Sequence, residues 1–271
     1  MRDAAFGSVL KDWRGRRRLS QLDLALDADI SARHLSFLET GRSKPSRAMV
    51  MKLCERLDVP LQARNQLLTS AGLSPQYETR PLDDAHMQPV RQALDWMLER
   101  HLPYPGFALD RHWRIVKLNA VATMLFGAAG LGAGDSLLDA LIDNQAMIDS
   151  IENIDEVRHH MLARLATEAA HFGQDPVLNS ARERLLQCFG DQSRSGAEAP
   201  PVEAAGQSSP VVATIYRAGR MHLSLFSTIS HFGTAEDIAL SELRVELLFP
   251  ADDASRSALE AMMAASVTER S

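Results

Sequence analysis

The sequence predicts an all-α N-terminal bundle of five short helices, followed by an α+β domain built on an antiparallel sheet. Three observations carry this. Up to about residue 72, apolar residues recur every three or four positions between Ser, Gly and Pro punctuation. Beyond about residue 210 the apolar period becomes two. Charge also changes sign along the chain: residues 1–80 hold 14 Lys and Arg against 9 Asp and Glu, a net of +5, while the remainder holds 15 against 26, a net of −11. A chain of 271 residues, 45% of them hydrophobic, has material for a core in each of two domains.

Phe6, Val9, Leu10 and Trp13 share one helix face, which predicts a first helix from Phe6 to Arg18. Ser20 precedes Gln21-Leu22-Asp23 as an N-cap with an acid three residues on, so a second helix opens there. Ser31 is a further N-cap before Ala32–Thr40, and Gly41 stops that third helix. Ala25 permits close approach of the pair, and Ile30, Leu35 and Leu38 face inward, so the two form a helix-turn-helix. The turn commonly carries Gly. Here it carries Asp29, which tolerates the left-handed conformation better than most residues. After the basic loop Arg42-Ser43-Lys44-Pro45-Ser46 come a helix from Arg47 to Leu57 and another from Leu61 to about Ala71.

The ordered set Leu19-Ser20-Gln21, Leu24-Ala25, Ile30-Ser31, His34-Leu35-Ser36, Leu38 to Arg42 and Pro45-Ser46 resembles the Cro/C1-type, or XRE, family of helix-turn-helix transcription regulators. The resemblance implies double-stranded DNA as a partner. A recognition helix offers its outward N-terminal residues to base edges, so Ser31, Ala32, Arg33, Ser36 and Phe37 are candidates, with His34 at the margin. Arg33 is the candidate for direct readout, because a guanidinium fork matches O6 and N7 of guanine; it is otherwise a phosphate contact or surface residue. Phe37 either touches a thymine methyl or packs. Gln21, Arg42, Lys44 and Ser46 are expected at phosphates, where local rather than total positive charge matters.

Residues 73–87, from Leu73-Ser74-Pro75 through Pro81 to His86, mix Pro, Ser and charge, which divides the chain into a DNA-binding domain (1–72), a linker (73–87) and a second domain (88–271). The second domain opens with a helix to about His101, bearing Val90, Ala93, Leu94, Met97 and Leu98. Short strands follow at Phe107–Leu109 and Arg114–Leu118 around the turn Asp110-Arg111-His112. Helices are expected at Asn119–Phe126, in part of Ser136–Ile151, at Ile154–Phe172 and at Asn179–Phe189. Residues 190–210 read as a flexible loop. Strands are expected at Val211–Arg217, across an Ala218-Gly219 turn at Met221–Ile229, and at Leu243–Phe249. Two strands, helices, then three strands is the order of PAS-like domains, whose sheet and helices enclose an apolar cavity.

Tyr104 to Arg111, Asn119-Ala120, Phe226 to Ile229, Phe232-Gly233-Thr234 and Phe249-Pro250-Ala251-Asp252 resemble the MmyB-like ligand-binding domain. That resemblance implies a PAS-like fold accepting a fatty-acyl or similar lipophilic effector. Candidate cavity residues are Phe107, Leu109, Val116, Leu118, Phe126, Leu225 and Phe249, for each of which ordinary core packing is the more common role, with an Arg or His at the mouth to meet a carboxylate.

Catalysis has no support: HExxH, GxSxG, Walker and dinucleotide patterns are absent, and nine scattered His lack metal-ligand spacing. The adjacent His159-His160 pair is expected on the surface. Cys54 and Cys188 are far from any CxxC spacing and read as small buried hydrophobes. Without a signal or membrane-spanning pattern, a cytoplasmic location is expected. The reading is a homodimeric, sequence-specific regulator sensing a lipophilic small molecule, with no cofactor beyond that ligand. The alternative is a constitutive DNA-binding regulator whose second domain serves only dimerisation or partner binding.

Overall fold

The computed structural model describes residues 6–173, 175–194, 211–218 and 221–268. The chain divides into two compact units. One comprises Met1–Arg80, Ala166–Asp175 and Thr234–Ser241; the other comprises Pro81–Leu165, Pro176–Gly233 and Glu242–Ser271.

The first unit contains α1 (Phe6–Arg16), α2 (Gln21–Asp27), α3 (Ala32–Glu39), α4 (Arg47–Arg56) and α5 (Leu61–Ser70). The starts of α2, α3 and α4 are fixed by side chains that satisfy otherwise orphaned amides. Ser20 and Asp23 form a reciprocal capping box, and Ser31 and Ser46 accept from the amides of His34 and Met49. The helix ends share one device. Arg18, Asp29, Gly41, Asp58 and Gly72 all adopt positive φ, from 46° to 75°. The residue after each then donates back across the last turn, as Leu19 does to Arg14, Ile30 to Ala25, Arg42 to Phe37, Val59 to Cys54 and Leu73 to Leu68. These are Schellman closures. In four of the five, the returning residue is apolar and packs on the bundle core of Leu10, Trp13, Leu24, Leu35, Leu38, Leu53 and Leu67. Asp29, with φ 46°, takes the left-handed turn position that the sequence assigns to it.

Residues 73–80 are laid along α5 by side chains. Asn65 Oδ1 accepts from the amides of Gln76 and Tyr77, its Nδ2 donates to the Tyr77 carbonyl at 2.7 Å, and Arg47 reaches the Ser74 carbonyl. The same unit takes in the short helix α12 (Ile238–Ser241), absent from the sequence reading, whose Ile238 amide donates to the Glu78 carbonyl at 2.9 Å.

The second unit is a five-stranded antiparallel sheet with helices. Its strands are β1 (Gly106–Leu109), β2 (Ile115–Leu118), β3 (Thr214–Ala218), β4 (Met221–His231) and β5 (Arg244–Pro250), in the order β2-β1-β5-β4-β3. This is the PAS-like arrangement. Its helices are α6 (Gln88–Arg100), after a 3-10 turn at Ala85–Met87, α7 (Ala120–Gly127), α8 (Leu137–Asp143), α9 (Gln145–Asp149), most of α10 (Ile154–Phe172), α11 (Pro176–Arg194) and α13 (Asp253–Thr268). The sequence reading lacks α13. It also ends the helix of α11 at Phe189, whereas α11 continues to Arg194, so the expected loop loses its first five residues. The rest of that loop, 195–210, and Gly219 of the expected turn lie outside the described residues.

Register sets the two faces of the sheet. Phe107 pairs with Glu246, Ile229 with Glu246, Ser227 with Leu248 and Thr214 with Leu225, so these side chains share one face. Phe226 pairs with Phe249 on the other. A buried Asn119 caps α7, accepting from the Ala122 amide at 2.9 Å while its Nδ2 donates to the carbonyls of Leu98 and Tyr104. Arg158, 7% exposed, is satisfied by the carbonyls of Leu141 and Ile142, which ties α10 to the end of α8.

Candidate nucleic-acid interface and ligand cavity

The α2–α3 pair is anchored from within by Glu39. Its carboxylate is 2% exposed and accepts from Arg14 Nε at 2.7 Å, Arg14 Nη2 at 3.0 Å and Gln21 Nε2 at 2.7 Å, joining α1, α2 and α3. Burial alone would raise the carboxyl pKa. The Arg14 and Gln21 hydrogen bonds, with the charges of Arg14 and Lys11, outweigh it and hold the group below its ordinary range. At Gly7, α1 passes so close to the end of α3 that a Cβ would sit 2.2 Å from the Glu39 carbonyl oxygen. The sequence reading assigned no role to Glu39 or Gly7; their partners lie 18 to 32 positions away.

This anchoring leaves one face of α3 outward. Leu35 and Leu38 are buried, Ser31 and Arg33 are exposed, and Ala32, His34, Ser36 and Phe37 are half-buried. Two guanidiniums lie against the Phe37 ring, Arg33 at 5.3 Å and Arg42 at 5.8 Å from its centroid. Phe37 therefore orders two cations beside the start and the end of the helix. Arg42, Lys44 and Ser46 are exposed on the following loop, and Gln21 is half-buried, with one amide hydrogen on Glu39. Among the described residues, no carboxylate forms an ion pair with Arg33, Arg42 or Lys44.

In the second unit, one sheet face and α8, α9 and α10 line a half-open cavity of about 330 Å³, within the roughly 300–1,000 Å³ range of small-molecule sites. Its apolar wall includes Phe107, Trp113, Leu137, Leu141, Met147, Met161, Leu225 and Leu248; its polar lining includes His160, Arg164, Thr214, Tyr216, Ser227 and Glu246. Arg164 forms an ion pair with Glu246 and lies 4.1 Å from the centroid of the Trp113 ring. Trp113 has φ 62°, a conformation that favours glycine, and its indole is nonetheless buried against both Arg164 and Arg244. Burial, reinforced by the charge of Glu246, raises the Tyr216 phenol above its ordinary range and keeps it protonated.

Of the seven candidate ligand residues, the structure brings Phe107 and Leu225 to this cavity. Leu109 and Phe126 lie in the packed core, where the Phe126 ring meets Phe107 edge-on at 5.1 Å. Val116 and Leu118 are half-buried on β2, the outer strand beyond β1, and do not line the cavity. Phe249 belongs to the opposite sheet face by alternation, stacked on Phe226 at 5.8 Å beside Tyr104 in a separate groove. The sequence reading passed over Trp113, Arg164, Tyr216 and Glu246. The alternation of β4 at Leu225, Ser227 and Ile229 was the usable signal, because all three line the cavity. His159 and His160 are both exposed, but they diverge: His159 meets the Phe189 ring at 4.4 Å and His160 lines the cavity.

Cys54 is buried, which pushes its thiol up to about 12. Cys188 is half-buried, its Sγ–H directed to the Arg184 carbonyl. Among the described residues no three His, Cys, Asp or Glu side chains group as metal ligands would, and no helix is long and apolar enough to cross a membrane.

A family model described as "Helix-turn-helix" matches residues 10–63, and one described as "MmyB-like transcription regulator ligand binding domain" matches residues 90–262. No curated protein matches the chain. With the helix-turn-helix in its first unit and the ligand-binding match spanning more than half its length, the chain belongs to the MmyB-like family of transcription regulators and is a DNA-binding regulator with a ligand-binding domain.

Proposed function

We propose that the chain reads a specific DNA sequence as a homodimer through α3, and that its second domain, residues 88–271, senses a lipophilic, fatty-acyl-like small molecule. The observation that carries the DNA reading is the outward face of α3. Arg33 stands there exposed, braced by the Phe37 ring, on a helix whose opposite side is buried. In the major groove, Arg33 reads guanine through O6 and N7, while Ser31, Ala32, His34, Ser36 and Phe37 form the rest of the contact face. Gln21, with one amide hydrogen held by Glu39, keeps a second for a phosphate oxygen, and Arg42, Lys44 and Ser46 contact the backbone. A symmetric dimer would place half-sites about 34–36 Å apart, one turn of the duplex.

Binding-site selection tests the assignment. Arg33→Ala relaxes preference at one base position, with a loss of about 1–3 kcal/mol there, whereas Lys44→Ala weakens all sites alike and lowers the salt slope by about 1. Unchanged preference in the Arg33 variant overturns the readout role.

The aromatic and aliphatic wall of the cavity supports the lipophilic effector. Such a ligand changes DNA binding only by preferring one arrangement of the dimer over another. Extraction of purified protein followed by mass spectrometry tests this: a stoichiometric acyl compound supports sensing, and an empty protein indifferent to added lipids supports a domain that only dimerises.

A further inference from the structure

We infer that the cavity selects an uncharged headgroup that both donates and accepts a hydrogen bond, an acyl amide by chemical class, and that the Arg164–Glu246 pair makes the selection. This rests on the lipophilic-ligand reading above. The polar lining of the cavity includes an ion pair of opposite charges, with Glu246 only 6% exposed at its side chain and Arg164 held over the Trp113 ring. A ligand carboxylate entering here has two arrangements. It displaces Glu246 and leaves a buried carboxylate without its cation, or it sits beside Glu246 as a second anion on one guanidinium; both are unfavourable next to a carboxylate as buried as Glu246. An amide meets neither penalty. Its carbonyl accepts from Arg164, its N–H donates to Glu246, and the pair remains intact while the chain lies along Phe107 and Leu225. Besides this pair, the titratable or charged groups about the cavity among the described residues are His160, Tyr216, which burial and Glu246 keep protonated, and Arg244 against the Trp113 ring. A carboxylic acid satisfies the same geometry only in its protonated form, donating its O–H to Glu246.

Calorimetry on the full-length protein with decanamide, decanoate and methyl decanoate tests the inference. At a pH well above the carboxylic-acid range, decanamide binds at least about tenfold tighter than decanoate. The ester, an acceptor without a donor, is also weaker than the amide. Glu246→Gln removes the carboxylate of this pair and reverses the order, so that decanoate becomes the tighter ligand. A readout independent of any variant is proton uptake in the wild type. Decanoate titrated in two buffers of different ionisation enthalpy takes up close to one proton per molecule bound, and decanamide takes up none. Decanoate binding tighter than decanamide in the wild type, without proton uptake, overturns the headgroup assignment and leaves the lipophilic cavity standing. Binding of no probe at all overturns the lipophilic reading and this inference with it.

Discussion

Replacing Glu39 by Gln removes one charge from the point where three helices meet. The carboxylate now takes both branches of the Arg14 fork and the Gln21 amide. A carboxamide offers one oxygen where three donors converge, and its own N–H₂ must face at least one of them. Breaking a buried ion pair by altering one partner costs about 3–5 kcal/mol. Arg14 is 14% exposed and also donates to the Leu19 carbonyl, so part of its charge stays satisfied and the low end, about 3 kcal/mol, applies. For a domain of this size, each kcal/mol moves the unfolding midpoint by roughly 4–8 °C, so the first unit should melt about 12–24 °C lower in Glu39→Gln. The pH dependence adds a signature. The folded pKa of Glu39 lies below its unfolded value, so the carboxylate contributes its full stability above the unfolded value, about 4.3, and loses it as pH falls through the folded value. The gap between wild type and variant is therefore widest near neutrality and closes in acid. Scanning calorimetry of the full chain over that range reads both effects. A midpoint within about 2 °C of wild type, or a gap that persists unchanged in acid, would refute the reasoning.

Gly7→Ala is a sterically stronger test of the same junction: the added methyl meets the backbone carbonyl of Glu39, which no rotamer change can relieve. A loss of about 2 kcal/mol is expected in urea unfolding, after an intrinsic helix gain of up to about 1 kcal/mol is offset by overpacking. Asn119→Ala removes the cap of α7 and leaves the carbonyls of Leu98 and Tyr104 unsatisfied, for a combined loss of about 3 kcal/mol in the second unit. Asn119→Asp, which can still cap but cannot donate, should fall between the two proteins in the same denaturant series. Thiol labelling of the native protein should be slow at Cys54, whose proton burial retains up to about 12, and faster at Cys188. Equal rates for the two in the folded state would contradict the burial of Cys54.

The helical unit was largely legible because what defines it is local. Ser20, Ser31 and Ser46 announce helix starts within three residues of the amides they satisfy, and Gly41 announces an end one residue past it. Leu35 and Leu38 show the buried side of α3, and with it the outward position of Arg33. Arg18 and Asp58 close their helices as Asp29 does, but no composition rule separates an Asp or Arg in the left-handed region from one in an ordinary turn.

The cavity was less legible because alternation tells which residues of one strand share a face and says nothing of which face another strand presents to them. Leu225, Ser227 and Ile229 could be grouped from β4 alone, and they do line the cavity. Joining Phe249 to that group requires the register of β5 against β4, where Phe249 opposes Phe226 and so belongs behind the sheet. The step of one residue, from Phe249 to Leu248, is the difference between the groove and the cavity. The same limit hid the polar pair. Glu246 sits in a mostly apolar strand that also holds Arg244, and Arg164 in a helix rich in charge, 82 positions apart, so each looks like an ordinary member of its element. Their chemistry exists only once β5 is paired between β1 and β4 and α10 lies over that face, which is why part of the apolar wall could be anticipated from periodicity and the polar pair could not.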